Sequence, residues 1–492
     1  MEEKKRRIYY AAFRSKDRRF DGQFFVGISS TGIYCRPICR ARLPKEENCR
    51  YFKTAAEAEQ AGFRPCLLCR PELAPEKSFT ETGEEIAIQT ARLLEEHCGS
   101  GVSITVLAKQ LACTDRHLRR VFAAAYHVTP VAYLQTCRLL LAKSLLTDTD
   151  LSMLEVAMAA GFGSLRRFNE LFKKQYHLAP TALRKELKKK REKNEVLTVG
   201  IGYHPPYEWK KMLDFLSLRA IPGVEVVQND CYMRTMSQVD RQGIYRSGWI
   251  KVKNNPVKSV LLVMLSDNLI TVIPQILGRI KCLFDVYCDP EIIYTALLSM
   301  NTIKSGLCVK GTRVPGCINS FELAVRAVLG QQITIKAAKT LAGRFAETFG
   351  TPIETTIQGL SYVFPTAEKI VGLGTTGESK IASLGIISTR ARTIKALAQL
   401  FYQEDNYCQV YADPEKEIKK LLAIPGIGVW TAGYIAMRAM GCTDIFLETD
   451  YGIKKAMEPM TTKEMLQQAE KWRPWRSYAV MNLWDFLSEK GH

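Results

Sequence analysis

A chain of 492 residues is long enough for three or four domains, and its 47% hydrophobic residues are sufficient to give each of them a packed core. The formal net charge of +19 indicates a polyanionic partner. The 15 cysteines, odd in number and mostly single, exclude a disulfide framework and indicate a reducing compartment. Neither a signal-like apolar run nor a stretch of about 18 apolar residues is present, so we expect a cytoplasmic protein without a membrane partner.

Four cysteines near the start of the chain have the spacing of a metal site. Cys35 and Cys39 form a C-x3-C pair, and Cys66 and Cys69 form a C-x2-C pair after 26 intervening residues. Four thiolates at this spacing are typical of a tetrahedral zinc site. Such a cluster either only holds a small domain together or carries thiolate chemistry, and the spacing leaves both open. Nearby basic residues fit a phosphate backbone: Arg36, Arg40, Arg42, Arg50, Arg64 and Arg70.

The segments around the cysteines resemble the N-terminal domain of the Ada adaptive-response family. The similarity covers about residues 8–75 and rests on Asp21–Phe25, Thr31–Arg42 and Ala61–Cys66. In that family the domain repairs methyl phosphotriesters in DNA, so the resemblance implies that zinc-bound Cys35 accepts the methyl group irreversibly. Cys49 lies between the two pairs and is either a spectator or a competitor for the metal.

Residues 84–185 have the apolar spacing of helices and contain an internal repeat. Each copy predicts a short helix, a turn and a second, basic helix. A basic amphipathic helix after a tight turn suits the major groove, because its apolar face packs on the domain while Arg and Asn reach bases and phosphates. One charged face alone is often only solvated, but five residues recur after 50 positions: Arg116, Phe122, Tyr126, His127 and Pro130 correspond to Arg166, Phe172, Tyr176, His177 and Pro180.

The second copy, with Phe162–Phe168 and Tyr176–Pro180, resembles the closing motif of the AraC-type double helix-turn-helix. We expect His127 and His177 to pack or cap helices rather than bind metal. The charge run 185–195 predicts a helix end that passes into a linker. The predicted DNA-reading side chains are Arg116, Arg119, Arg166, Arg167 and Asn169.

After residue 197 the pattern changes from helical to mixed. Alternating runs predict five β-strands, and a helix follows at about 272–284. From residue 290 the pattern is mainly helical. We therefore expect a small α+β domain followed by an all-helical domain. The predicted strands lie at 197–201, 224–227, 232–236, 248–252 and 260–265.

Leu421–Ala432 predicts two helical segments around a Pro-Gly-x-Gly turn. Gly426 and Gly428 allow a close backbone approach, and the N–H groups that begin the next helix can bind a phosphate. This is the form of a helix-hairpin-helix, although the turn alone also fits an ordinary interhelical loop. Asp450 follows 20 residues after Trp430, in a mostly apolar setting.

These two motifs, together with Pro205–Trp209, Ala327–Gln332 and Trp472–Ala479, resemble the 3-methyladenine DNA glycosylase II (AlkA) family. The similarity covers nearly all of residues 200–490 and implies a sheet domain followed by two helical lobes with a cleft between them. It also implies that Asp450 is the carboxylate that stabilises the sugar cation formed when a flipped base leaves.

The same resemblance assigns binding residues. Trp430, Tyr434 and Trp484 match positions that line the family's base pocket, although each also fits a core. Gln332 stands where a side chain fills the gap left by the flipped base, which is a leucine in some relatives. Some members have two adjacent aspartates where this chain has Thr449 and Asp450, with Glu448 nearby.

The predicted fold class is a multidomain α+β protein. Its parts are a small zinc-binding α/β domain, an all-α double helix-turn-helix, an α+β sheet domain and an all-α helix-hairpin-helix glycosylase domain. The boundaries are 1–78 for the zinc and methyl-acceptor domain, 82–190 for the double helix-turn-helix, 191–196 for a linker, 197–305 for the sheet domain and 306–492 for the glycosylase domain.

The combination predicts a DNA alkylation-damage response protein of the bacterial cytoplasm and nucleoid. Methylation of Cys35 would switch on promoter binding, and the C-terminal half would be a monofunctional 3-methyladenine-type DNA glycosylase. The expected cofactor is zinc, and the expected partners are damaged and promoter double-stranded DNA and RNA polymerase. Two alternatives stay open: a glycosylase-like half that binds DNA without catalysis, and a zinc- or redox-responsive regulator without methyl transfer.

Overall fold

The structure is a computed structural model that describes residues 3–75, 85–188, 197–404, 407–408 and 414–490. The chain forms two compact units. No helix in these described ranges is both long and apolar enough to cross a bilayer. The N-terminal unit comprises Met1–His204, Gln238–Arg246 and Asn255–Gly278, and the C-terminal unit comprises Pro205–Ser237, Ser247–Asn254 and Arg279–His492.

A four-stranded sheet with two helices begins the N-terminal unit. The strand order is β3-β1-β2-β4; β1 is antiparallel to β2 and β3, and β2 is parallel to β4. Because side chains alternate along a strand, Tyr34 and Cys35 point to opposite faces of β2, where they join different apolar clusters. The elements are α1 (Glu3–Ser15), β1 (Phe25–Ile28), β2 (Ile33–Cys35), β3 (Cys49–Phe52), α2 (Ala55–Gln60) and β4 (Arg64–Pro65).

Seven helices follow and carry the predicted repeat. In each copy the second helix begins after a hydroxyl N-cap, Thr114 or Ser164, and ends at a histidine in the left-handed region, with φ +60° at His127 and +53° at His177. The predicted capping role of both histidines is confirmed. The helices are α3 (Glu85–Glu96), α4 (Ile104–Gln110), α5 (Asp115–Tyr126), α6 (Pro130–Asp148), α7 (Met153–Ala159), α8 (Leu165–Tyr176) and α9 (Pro180–Lys188).

A buried carboxyl group joins the small sheet to these helices. Glu59, in α2, is 4% exposed and is hydrogen-bonded to three hydroxyl groups, those of Tyr34 (3.1 Å), Thr136 (3.1 Å) and Tyr176 (3.4 Å). Burial raises the pKa of Glu59 to about 8, although the hydroxyl groups act in the opposite direction. The carboxyl group therefore keeps its proton well above the pH at which an exposed glutamate ionises.

Ion pairs add to the same contact. Nζ of Lys143 lies 2.5 Å from Glu72, and Arg70 donates to both Glu72 (2.9 Å) and Asp148 (2.7 and 2.6 Å). Burial alone would raise the pKa of Glu72, but Lys143 and Arg70 outweigh it and hold that pKa below its usual value. Lys143 and Asp148 belong to α6. This helix therefore neutralises the charges of Glu72 and Arg70, which follow the small sheet in the chain.

The mixed region after residue 197 contains all five predicted strands and the predicted helix. β5 pairs antiparallel with β9, and β6 pairs antiparallel with β7. The helix α10 was not predicted, although its buried residues Trp209, Met212 and Leu216 have helical spacing. The elements are β5 (Thr198–Gly202), α10 (Trp209–Arg219), β6 (Glu225–Gln228), β7 (Cys231–Val239), β8 (Tyr245–Asn255), β9 (Val260–Leu265) and α11 (Ile273–Leu283).

The rest of the chain is mainly helical, as predicted, and the α+β fold class is confirmed. α13 is buried over almost its whole length and forms the centre of this part. The predicted linker 191–196 lies outside the described residues. The elements are α12 (Pro290–Leu297), α13 (Ser320–Leu329), α14 (Ile335–Phe349), β10 (Thr351–Pro352), β11 (Tyr362–Val363), α15 (Ala367–Val371), α16 (Gly377–Ala382), α17 (Ser388–Gln403), α18 (Pro414–Leu422), α19 (Val429–Ala439), α20 (Tyr451–Met457), α21 (Thr462–Glu470) and α22 (Arg476–Lys490).

We predict that Glu59→Gln reduces the pH dependence of the stability of the N-terminal unit. The folded pKa of about 8 lies above the ordinary value of 4.5, so the contribution of Glu59 is fully present below pH 4.5 and is lost as the pH rises through 8. Glutamine keeps the shape but does not ionise. The melting temperature, measured from about pH 5 to 8.5, should therefore fall less in Glu59→Gln than in the wild type.

The matched control is Glu47→Gln, which changes an exposed carboxylate of the same module. It should follow the wild-type pH profile. A Glu59→Gln profile parallel to the wild type would contradict the assignment of a buried, protonated carboxyl group.

Candidate metal centre, DNA-reading helices and active site

The four predicted zinc ligands form one cluster. Their Sγ atoms all lie within 4.8 Å of one another. The parallel pairing of β2 with β4 brings the two cysteine pairs together, because the N–H of Cys66 donates to the carbonyl of Tyr34 at 3.0 Å. Four thiolates at this separation fit a tetrahedral zinc ion. The ligands would be Cys35, Cys39, Cys66 and Cys69.

The four thiols differ in exposure and in ionisation. Cys35 is 2% exposed and Cys66 is 7% exposed, whereas Cys69 is the least buried of the set. Hydrogen bonds among the sulfur atoms lower the pKa of Cys66, chiefly through Cys35, and raise the pKa of Cys35, chiefly through Cys39. The four thiols share hydrogen bonds, and a metal ion that binds them would displace their protons.

Cys49 is separate from this cluster. It begins β3, and its Sγ lies 3.5 Å from the carbonyl oxygen of Lys45. Burial raises the pKa of the Cys49 thiol to about 11. Of the two roles left open for Cys49, the structure supports that of a spectator.

Five of the six arginines around the cluster fall into two groups, and the sixth, Arg64, is half-buried. Arg36 is buried, pairs with Asp21 (2.9 Å from Nε) and donates its backbone N–H to Sγ of Cys69 at 3.3 Å. Arg70 is held by Glu72 and Asp148, as described above. Both guanidinium groups are therefore committed within the protein. The exposed arginines are Arg40, Arg42 and Arg50.

The predicted DNA-reading residues lie on the outer faces of α5 and α8. Phe122 and Tyr126 are buried in α5, and Phe172 and Tyr176 repeat them in α8. This inner stripe turns the basic residues outward. Two of the exposed arginines pair within their helices, Arg119 with Asp115 and Arg166 with Glu170. All five predicted readers are exposed: Arg116, Arg119, Arg166, Arg167 and Asn169.

The Pro-Gly-x-Gly turn joins α18 to α19, as the hairpin motif predicts. Gly426 has φ +93°, and a Cβ there would lie 2.3 Å from Oγ1 of Thr393. Gly428 is the N-cap of α19, and a Cβ there would meet no atom within 4 Å. The two glycines therefore differ: the fold requires the first, whereas the second leaves an open surface at the start of α19.

Asp450 is the N-cap of α20 and receives three hydrogen bonds. Its Oδ1 accepts from the backbone N–H of Ile453 and from the indole Nε1 of Trp484, and its Oδ2 accepts from the indole Nε1 of Trp430, each at 3.0 Å. Because the indoles belong to α19 and α22, three helices converge on one carboxylate. The sequence placed Trp430 and Trp484 at a pocket but did not predict that both bind Asp450.

A cavity of about 470 Å³ adjoins Asp450 and lies entirely within the C-terminal unit. Trp430 and Tyr434 stack in parallel on its wall, with ring centroids 5.2 Å apart, and Trp484 lies 6.4 Å from Tyr434. The volume is in the range of small-molecule sites and accommodates a flipped base. The cavity thus brings together Asp450 and all three predicted pocket aromatics.

The cavity also contains residues that the sequence analysis missed. Burial would raise the pKa of Tyr434, but Arg438, Arg219 and Arg326 outweigh it and hold that pKa below its usual value. Tyr451, beside Asp450, lines the same cavity although it is 78% exposed. The sequence shows a basic residue, Arg219, and, next to Asp450, an aromatic residue, Tyr451. Only the tertiary contacts show that both line this cavity. The missed lining residues are Arg219, Arg326, Lys339 and Tyr451.

Gln332 is exposed in the loop between α13 and α14 and has φ +53°. The preceding residue anchors this loop to the hairpin. Nε2 of Gln331 donates to the carbonyl of Gly426 at 2.9 Å and to Oγ1 of Thr431 at 3.0 Å. Gln332 therefore projects from a loop that is tied to the hairpin, beside the cavity wall formed by Gly330.

Four family models match the chain in succession. The matches are the metal binding domain of Ada over residues 8–72, a helix-turn-helix domain over 107–186, the AlkA N-terminal domain over 198–319 and the HhH-GPD superfamily base excision DNA repair protein over 325–474. Together with the cysteine cluster, the first match confirms the prediction of a zinc site.

One curated relative matches nearly the whole chain, and two others match parts of it. The chain is 33% identical over 489 residues to the probable bifunctional transcriptional activator/DNA repair enzyme AlkA of Mycobacterium tuberculosis, covering 97% of this chain and 96% of that protein. It is 32% identical over 284 residues to DNA-3-methyladenine glycosylase 2 of Escherichia coli, covering 58% of this chain and 95% of that protein. It is 39% identical over 124 residues to Ada of Escherichia coli, covering 25% of this chain and 34% of that protein.

We predict that Cys66→Ser loses bound zinc while Cys49→Ser keeps one zinc ion per chain. Cys66 belongs to the four-sulfur cluster, whereas the thiol of Cys49 is directed to the carbonyl of Lys45. Metal content after gel filtration, measured by mass spectrometry, distinguishes the two variants. Loss of zinc from Cys49→Ser would contradict the ligand set.

Proposed function

The chain belongs to the family of bifunctional transcriptional activator/DNA repair enzymes, and we propose that it releases alkylated bases from DNA as a monofunctional hydrolase with Asp450 as its catalytic carboxylate. It is a DNA alkylation-damage response protein with an Ada-like zinc domain, a helix-turn-helix activator domain and a DNA glycosylase domain. The observation that supports Asp450 is its position at the cavity, with an indole N–H donated to each carboxylate oxygen.

The reaction needs a fixed negative charge next to the sugar. When the glycosidic bond breaks, its electron pair leaves with the base and positive charge develops on the sugar ring. The carboxylate of Asp450 stabilises that charge and accepts a proton from the attacking water. Trp430, Trp484 and the N–H of Ile453 keep the carboxylate oriented during these steps, since each bond joins it to a different helix segment.

The aromatic wall supplies recognition of the flipped base. The stacked rings of Trp430 and Tyr434 present a flat surface, and Trp484 borders the same space. A purine can stack on such faces, and a base made cationic by alkylation is attracted by their electron density. All three aromatic residues therefore bind the base. The two tryptophans also hold the carboxylate of Asp450 through their indole N–H groups.

Water rather than a lysine is the proposed nucleophile. Lys339 lies in the cavity lining, and its ammonium group donates to the carbonyl of Ser217 at 3.3 Å. The nitrogen of Lys339 is thus engaged by a backbone carbonyl rather than directed at the sugar as a nucleophile. The products are then a free base and an intact abasic site.

The hairpin and the Gln332 loop complete the proposed DNA contact. Gly428 and Val429, at the start of α19, are exposed and can approach a phosphate. Gln332, on the loop that Gln331 ties to Gly426, is proposed to fill the gap in the duplex. Gly426 contributes by allowing the tight turn rather than by a side chain.

For the N-terminal half we propose that Cys35 accepts a methyl group from methyl phosphotriesters. The Cys35 sulfur forms a bond to the methyl carbon while the bond from that carbon to the phosphotriester oxygen breaks, which leaves a phosphodiester anion on the DNA. With zinc bound, the four thiolates would give the site a net charge of about −2, and the thioether at Cys35 would change it to about −1. Near a phosphate backbone the loss of one negative charge is worth on the order of 1 kcal/mol or more, depending on screening. DNA affinity rises accordingly, and the helix-turn-helix residues then read the promoter.

RNA polymerase is the partner expected of a transcriptional activator, and the domain boundaries are those derived from the sequence.

Exposure alone would favour Cys69 as the acceptor, because Cys35 is almost fully buried. The assignment of Cys35 rests on the family motif, so the acceptor must be mapped directly.

We predict that Asp450→Asn abolishes release of methylated purines. Asparagine keeps the size of the side chain but removes the charge that stabilises the sugar cation, so the rate should fall by about 10³-fold or more. The measurement is release of free base from alkylated duplex DNA under single-turnover conditions. Binding of the same duplex should persist, which separates catalysis from DNA binding.

The wild type should leave abasic sites without strand cleavage, and borohydride should trap no covalent complex. Trapping through Lys339 would contradict the monofunctional assignment. Failure of the wild type to release any base would instead favour the alternative in which the glycosylase-like C-terminal half binds DNA without catalysis.

We predict that Cys35→Ser loses methyl transfer while Cys49→Ser retains it. The protein is incubated with duplex DNA that contains methyl phosphotriesters, and the added methyl group is located by peptide mass mapping. The label should appear on Cys35, and promoter affinity should rise with it. A label on Cys69, or a promoter response in Cys35→Ser, would overturn this assignment.

A further inference from the structure

A loop from the sheet domain belongs to the same compact unit as the reading helices. The N-terminal unit contains the first 204 residues together with two segments that follow them in the chain, and the loop between β7 and β8 lies in the first of these segments. Residues of the second segment pack closely on the helices. A Cβ on Gly99 would lie 2.9 Å from Cγ of Pro274, and a Cβ on Gly278 would lie 2.9 Å from Cγ of Glu96.

An aspartate shapes the loop between β7 and β8 and is neutralised within it. Oδ1 of Asp240 accepts the backbone N–H groups of Gln242 (2.8 Å) and Ile244 (3.0 Å), and Oδ2 accepts from Nε of Arg246 at 2.8 Å. The N–H of Asp240 also donates to the carbonyl of Ile244 at 2.9 Å. The exposed side chain of Arg241 therefore projects from a backbone that these bonds hold in place.

Arg241 lies beside the turn that precedes the second reading helix. Gly161, between α7 and α8, has φ +89°, and a Cβ there would lie 2.2 Å from the carbonyl oxygen of Cys98 and 3.0 Å from Nη2 of Arg241. Nε of Arg138, in α6, donates to the same carbonyl at 2.9 Å. The guanidinium groups of Arg138 and Arg241 are thus both placed next to this turn.

Together with Arg167, these two residues form a patch of positive charge, called here the turn patch. Arg167 is exposed in the first turn of α8. Partial burial lowers the pKa of Arg241, and the charge of Arg138 lowers it further. Burial and then the charge of Arg167 do the same to the pKa of Arg138. Among the residues that the structure describes, no carboxylate pairs with any of the three arginines, so the patch favours an anionic partner.

The position of the turn patch favours a DNA duplex as that partner. In a helix-turn-helix the N-terminal residues of the second helix contact base edges, and the groups around that end of the helix face the sugar-phosphate backbone. Arg167 is one of the predicted readers at this end of α8. A phosphate that borders the base pairs read by α8 would therefore lie near Arg241, whose planar fork of N–H groups matches phosphate oxygens.

We propose that the loop between β7 and β8 is part of the promoter-binding surface and that Arg241 binds a backbone phosphate next to the base pairs read by α8. The inference rests on the proposed reading role of the helix-turn-helix domain. It extends that role to a loop within the region that matches the AlkA N-terminal domain, residues 198–319. Promoter binding would then require a residue of the glycosylase-related part of the chain. Because phosphate contacts carry no sequence information, Arg241 positions the duplex rather than reads it.

The test uses a duplex selected from a random library with the full-length wild type. Its affinity for the wild type, Arg241→Gln and Lys463→Gln is measured as a function of salt concentration. Arg241→Gln should bind about fivefold more weakly at about 0.15 M salt, and the slope of log affinity against log salt should decrease by about 0.9, the value for one phosphate contact. Lys463→Gln removes an equal charge from an exposed position of α21 and should change neither quantity.

Two further measurements separate a phosphate contact from a structural role. Ethylation of individual phosphates should interfere with wild-type binding at one position that no longer interferes with Arg241→Gln. That position should lie at the end of the site where Arg167→Ala loses its own contacts. Arg241→Lys keeps the charge and should recover most of the affinity, and its melting temperature should equal that of Arg241→Gln and the wild type.

The variants also distinguish this proposal from the one on which it rests. Weaker binding by Arg167→Ala but not by Arg241→Gln overturns the loop contact and leaves the reading role in place. If neither variant binds more weakly, or if no duplex is selected, the reading role itself is overturned. Tighter binding by Arg241→Gln would show that the loop obstructs DNA, and weaker binding with an unchanged salt slope and interference pattern would show a structural role; either result contradicts the proposal.

Discussion

The hydrogen bonding of Asp450 is the constraint on which the candidate active site depends. A partly buried carboxylate needs donors, and here they come from the start of its own helix and from indoles on two other helices. The two tryptophans thus direct the polar edge of the indole at Asp450 and also line the cavity. The cavity exists because these helices must stay close enough for both indole N–H groups to reach the carboxylate.

Positive charge is distributed between the interior and the surface of this basic protein. Arg36, Arg70 and Arg234 are committed to carboxylates, and Arg438 donates to the carbonyls of Pro315 and Gly316. These side chains stabilise the fold rather than attract DNA. The basic residues of α5 and α8, in contrast, stay exposed because an apolar stripe occupies the inner sides of these helices. An arginine paired with a carboxylate adds nothing to the net charge, so the net charge of +19 comes from residues outside these ion pairs.

Strand alternation gives the zinc module two different faces. Cys35 and Tyr34 are adjacent in β2, yet the first joins the metal cluster and the second reaches Glu59. Through Glu59 the module contacts Thr136 and Tyr176, and through Glu72 it contacts Lys143. The metal cluster and the second reading helix thus belong to one packed body, joined by buried polar contacts that depend on complete hydrogen bonding.

Local spacing in the sequence was sufficient to predict the cysteine cluster, the repeated reading helices, the histidine caps, the five strands and the hairpin, because each is defined by residues close together in the chain. It also placed Asp450, Trp430, Tyr434 and Trp484 among the site residues, through a family resemblance. The separation of Cys49 from the metal site, the burial of Arg36 and the two indole bonds to Asp450 were decided only by tertiary structure. In each case the deciding contact joins segments far apart in sequence, and spacing along the chain carries no information about which of them meet.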